Sequence, residues 1–113
     1  MLLQQSRAAG VDYIPTLRAA DHGDDAALKS LFELTGSSHF TTDAEQCHIE
    51  ALAELLNRLG DREFSIALSA ESAEIRRAVV NGLVIELDNG PGADASRAAF
   101  AEKYPYTAAT ISP

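Results

Sequence analysis

Between residues 72 and 87 the apolar side chains Ile75, Val79, Leu83 and Leu87 recur every four positions, with Val80 and Val84 beside them. An α-helix needs that spacing to gather apolar residues on one face, because successive side chains turn by about 100°. Comparable stripes run through Ala27, Leu28, Leu31 and Phe32, and through Ile49, Leu52, Leu55, Leu56 and Leu59. Gly23, Gly36, Gly60 and the stretch Asn89-Gly90-Pro91-Gly92 cut the chain into pieces of helical length. The pattern predicts an all-α fold, a small bundle or stack of about three helical hairpins spanning about 13–35, 42–69 and 72–104.

Start and stop signals agree with these pieces. Pro15 suits a first helical turn, and Asp24, Asp61, Ser69 or Ser72, and Asp94 can cap the helices that follow them. Thr42-Asp43-Ala44-Glu45 matches the capping box, in which hydroxyl and carboxylate each satisfy a backbone N–H. Pro105 closes the last helix. Residues 1–12 are expected to be a poorly structured N-terminal segment and residues 13–104 a single helical domain. Residues 105–113, with no charge and no periodicity, are expected to form an extended or disordered tail; a tail laid across the domain or a neighbouring subunit is the alternative.

One local conflict bears on the fold class. Asn81-Gly82 is a favoured two-residue turn between valine- and isoleucine-rich flanks, so "RRAVVNGLVIEL" also fits a β-hairpin, which makes the alternative an α+β fold. Glycine inside a helix costs about 1 kcal/mol relative to alanine. The four-residue spacing nevertheless runs straight through the pair, which favours helix.

At 113 residues and 46% apolar, the chain can bury one core. Its single cysteine cannot form an internal disulfide. The opening Met1-Leu2-Leu3 is far short of the ~7–15 apolar residues of a signal peptide, and no run approaches the ~20 that span a bilayer. The expectation is a cytoplasmic protein that does not engage membranes.

The net charge of −8 is unevenly placed: residues 21–57 carry eight acids against Lys29 alone. Nucleic-acid binders carry the opposite, a basic stripe that displaces counterions from phosphates, so nucleic acid is not an expected partner. The acids either keep the protein soluble or dock a basic protein, and the candidate partner-binding face is Asp21, Asp24, Asp25, Asp43, Glu50 and Glu54.

The stretch "HFTTDAEQCHIE", residues 39–50, holds two of the three histidines and the only cysteine. On a helix Cys47 and His48 are adjacent and point apart, so they do not clasp one metal. Asp43 and Cys47 share a face, and His39 could fold back over them, but three ligands with no C-x₂-C pair fall short of a structural zinc site. His48 falls within the apolar stripe and is expected at the edge of the core, its polar nitrogen reaching a carbonyl or water. The acids around Cys47 oppose a reactive thiolate. No metal, cofactor or catalytic residue is assigned. There is no G-x-S-x-G, H-E-x-x-H or G-x-x-x-x-G-K-[ST] motif, and paired carboxylates such as Asp24-Asp25 suit solvated helix faces, so the chain is expected not to be an enzyme.

The stretch "LGDREFSIALSAESAEIRRAVVNGL", residues 59–83, resembles HEAT or armadillo-like repeats: a Gly-Asp turn, a helix, a short break, then a helix beginning Glu-Ile-Arg-Arg-Ala-Val. "GDDAALKSL" and "GDREFSIAL" repeat the Gly-Asp start thirty-seven residues apart. The resemblance implies a non-enzymatic adaptor or scaffold module that presents a surface to another protein. The alternative, from charge placement and size, is an acidic immunity or inhibitor protein that blocks a basic target such as a nuclease toxin. An uncovered apolar helix face could equally serve a homodimer.

Overall fold

The computed structural model describes residues 12–35, 42–87 and 93–111, with the side chains of residues 42, 43 and 93–95 outside the description. In chain order the helices are α1 (Tyr13–Asp21), α2 (Asp25–Thr35), α3 (Thr42–Leu59), α4 (Asp61–Ser69), α5 (Ala73–Glu86), α6 (Ala93–Lys103) and α7 (Pro105–Ala109). No strand occurs among the described residues, and the fold is all-α.

Several helix starts follow from the local chemistry read in the sequence. The Asp24 carboxylate accepts a hydrogen bond from the Ala27 amide at 3.1 Å, and the Ser72 hydroxyl accepts one from the Ile75 amide at 3.3 Å. Each satisfies one of the orphan donors of a first turn. Gly60 alone separates α3 from α4, and its φ of +94° is the left-handed conformation that lets the chain turn so abruptly.

The Asn81-Gly82 conflict is resolved for helix, since α5 passes through both residues. The glycine serves packing. A Cβ at position 82 would lie 2.6 Å from Ile49 Cδ1 and 3.1 Å from its Cγ1, so the missing side chain is the notch into which α3 seats Ile49.

The core lies where α2, α3, α4 and α5 meet. Leu31, Phe32, Leu52, Leu56, Phe64, Leu68, Val79 and Leu83 are all fully buried, and Phe32 meets Phe64 edge to face with centroids 5.1 Å apart. α2 packs on α1, α3, α4 and α5, so the first helical pair touches the third and the chain closes into a bundle. Its radius of gyration is 13.2 Å.

Two expectations need correction. The segment after Tyr104 is not an extended tail: Pro105–Ala109 is helical, and Thr107 is fully buried where α7 packs on α4 and α6. Pro105 ends one helix and opens the next, because its fixed φ and missing N–H suit a first turn. Asp61 does not cap its own helix. Its carboxylate accepts the amides of Tyr106 and Thr107, both at 2.8 Å, and so caps α7 from 45 residues away. Arg76 secures the other end of α7, donating from Nε to the Thr110 carbonyl at 2.9 Å. The expected poorly structured segment 1–12 lies outside the described residues, Asp12 excepted.

Candidate functional site

The helix read in residues 42–59 is α3, the Thr42 side chain of its expected capping box lying outside the described residues, and it carries Cys47 and His48 in opposite senses: Cys47 is exposed and His48 fully buried. His39 and the Asp43 side chain lie outside the described residues. Among the described residues no three His, Cys, Asp or Glu side chains are placed to hold a metal.

His48 sits deeper than the core-edge position expected, and its partners are side chains of other helices. Tyr13 Oη of α1 lies 2.8 Å from Nδ1, and Thr35 Oγ1 of α2 lies 2.9 Å from Nε2. The Thr35 hydroxyl is 3.4 Å from the Leu31 carbonyl, the acceptor for its proton. A neutral imidazole has one donor and one acceptor, so the chain of bonds runs one way. Tyr13 donates to Nδ1, Nε2–H donates to Thr35, and Thr35 donates to Leu31. Burial pushes the His48 pKa down to about 4, a hydrogen bond to Leu31 acting in the opposite direction. Burial, with the charges of Cys47 and Glu45 nearby, holds the Tyr13 phenol well above its usual range. Burial also raises the Glu45 carboxyl. The sequence marked His48 as a polar residue inside an apolar stripe; it carried no sign that Tyr13 and Thr35 would complete the set.

α1 and α3 run side by side in the same direction, Tyr13 meeting His48 at one end and Asp21 meeting Arg58 at the other. Between them lies an open groove of about 210 Å³ with an apolar floor of Leu17, Ala51 and Leu55. Its rim is charged: Arg18, Asp21, Glu54 and Arg58. Arg58 bridges the two helices, with Nε 3.0 Å from Asp21 and Nη1 3.9 Å from Glu54. Below the ~300–1,000 Å³ of sites that enclose a drug-sized ligand, this groove suits one protruding side chain.

Of the six acids in the candidate face, Asp21 and Glu54 border this groove and share Arg58. Glu50 is exposed one turn before Glu54 on α3. Asp24 is occupied as a helix cap, and Asp25 is exposed in the first turn of α2. The Asp43 side chain is not described. The groove residues Leu17, Ala51 and Arg58 were not singled out from sequence, although Glu54 and Arg58 stand four apart, the spacing of a helical ion pair. A second surface groove, of about 270 Å³, lies where α5, α6 and α7 meet and is lined by Val80, Val84, Phe100, Ala108 and Ile111, with Asn81 and Arg97 alongside.

Fold and site together define a closed bundle of helical pairs with shallow apolar grooves between helices. Compared with known protein families, with characterised proteins and with solved structures, the chain has no significant match.

Proposed function

We propose that this chain is a non-enzymatic protein-interaction module that docks its partner on the groove between α1 and α3. The observation that carries the reading is the groove's construction, an apolar floor of Leu17, Ala51 and Leu55 inside a rim of ionised side chains. Interfaces concentrate binding energy in a buried anchor surrounded by a polar rim. The order of α4 and α5, a Gly-Asp turn followed by a helix, a break and a second helix, supports the similarity of residues 59–83 to HEAT-like modules and hence an adaptor role. No helix among the described residues is long and apolar enough to cross a membrane, and we place the adaptor's work in the cytoplasm as part of the same proposal.

A second reading is an acidic inhibitor of a basic protein. It is favoured by the exposure of Glu50 and Glu54 beside the groove. The two readings differ in their response to salt, because exposed charges are screened within about 8–10 Å at physiological ionic strength while apolar contacts are not. Affinity capture at low and high salt, with partners identified by mass spectrometry, is the test. An adaptor retains its partner at high salt and loses it on Ala51→Phe, which fills the groove. An inhibitor loses a basic partner at high salt and on charge reversal of Glu50 and Glu54 to lysine. A partner indifferent to all of these changes overturns both.

A further inference from the structure

The nine-residue helix α1 contributes only two buried side chains, Tyr13 and Ala20. A helix this short is marginal on its own in water, so it stays folded by what ties it to its neighbours. Leu17 is half-buried in the groove floor, and polar ties hold the two ends: Tyr13 to His48 and Asp21 to Arg58. The second tie is a surface ion pair, with Arg58 57% and Asp21 24% exposed, and surface pairs contribute only about 0–1 kcal/mol. The first is buried, and it closes a hydrogen-bond chain through three helices.

We propose that His48 is an acid-sensitive latch for α1: protonation of its Nδ1 breaks the bond from Tyr13 and releases α1 from α2 and α3. The proton balance is simple. Nδ1 gains a hydrogen and becomes a donor, so the Tyr13 hydroxyl must turn to accept and its own proton loses its acceptor inside the protein. The imidazolium is at the same time a charge in a fully buried site. The hydrogen bond to Leu31 favours the charged form, but burial is the larger effect. α1 brings the neutral Tyr13, and α2 brings Thr35 and the Leu31 carbonyl. α4 and α5 bury Phe64, Ser65, Leu68, Val79, Val80, Leu83 and Val84, none of them titratable. Among the described side chains of α3, the ionisable groups beside Tyr13 are Cys47 and Glu45, and burial raises the Glu45 carboxyl, which favours its neutral form. Release of α1 dismantles one wall of the α1/α3 groove. This last consequence rests on the docking reading above, whereas the latch itself does not.

Amide hydrogen exchange read by mass spectrometry tests the latch without any partner. Protection factors, corrected for the intrinsic pH dependence of exchange, are compared between pH 7 and pH 5 for α1 (residues 17–21) and for α5 (residues 79–83) as an internal reference. In the wild type, protection in α1 falls roughly tenfold or more while that in α5 holds, because the released state takes up a proton that the latched state refuses. In His48→Gln, which cannot titrate, the α1 response to pH disappears. Tyr13→Phe, which leaves the ring in place, lowers α1 protection about tenfold already at pH 7. The latch is overturned if α1 protection is flat with pH, if α1 and α5 lose protection together, or if His48→Gln keeps the wild-type response. Should His48→Gln fail to fold, the Tyr13→Phe comparison decides: a variant with wild-type α1 protection at pH 7 overturns the proposal. If the latch holds but partner capture does not change with Ala51→Phe, the docking reading fails alone.

Discussion

A neutral histidine with both ring nitrogens engaged must give up part of its bonding to accept a proton, and His48 is such a residue. Its folded pKa, near 4, lies below the ordinary value of 6.5, so the unfolded chain binds the proton more readily. The associated stability is fully present above about pH 6.5 and drains away as pH falls toward 4, by up to about 3 kcal/mol. Denaturation midpoints measured at pH 7 and pH 4.5 should differ accordingly, with a visibly shallower dependence in His48→Gln. At Gly82 two effects oppose each other. Alanine would gain about 1 kcal/mol of helix propensity, but its methyl group runs into Ile49 and overpacking costs about 1–3 kcal/mol. We expect Gly82→Ala to be destabilising by about 1 kcal/mol in urea titrations. Adding Ile49→Val, which removes the nearest methyl, should make the pair less costly than the sum of the singles.

Between elements, the tie that sequence reasoning assigned to the wrong helix is Asp61. Its two carboxylate oxygens each hold one amide of the first turn of α7, so a five-residue helix that could not persist alone is capped from α4. Asp61→Ala should cost about 1–2 kcal/mol, the usual value of a helix cap. Hydrogen exchange over residues 106–111 should rise more than that over α3. Asp61→Asn should recover only part of the loss, because an amide offers one acceptor where the two N–H groups need two. On α5, Arg76 reaches both the Glu71 and the Thr110 carbonyls, so the turn before α5 and the end of α7 are joined through one guanidinium.

Across the whole molecule a single core joins helices from every pair, with Phe32 and Phe64 in face-to-edge contact at its centre. Phe32→Ala should lower stability by about 3–5 kcal/mol, a large share of the ~5–15 kcal/mol typical of a domain. Chemical denaturation should shift its midpoint without changing its slope, since the surface exposed on unfolding is unchanged. The helices were legible in the sequence because their causes are local: the apolar stripes of α2, α3 and α5, the caps at Asp24 and Ser72, and the glycine at 60. The divergence of Cys47 and His48 was legible for the same reason, being a matter of helical angle. Contacts made at long sequence distance were not legible. Tyr13 and His48 are 35 residues apart and Asp61 and Thr107 are 46 apart, and nothing near any of them in the chain records the partner. The sequence by itself therefore determined an all-α fold, the approximate spans of α1 to α6 and which faces are apolar, through propensity and periodicity. Only the tertiary structure decided that the last segment folds back as a helix, that Gly82 is a packing notch, and that α1 and α3 frame a groove with a buried, hydrogen-bonded histidine at one end. Those features depend on how the apolar faces close on one another, and the closure is fixed by packing among residues far apart in the chain.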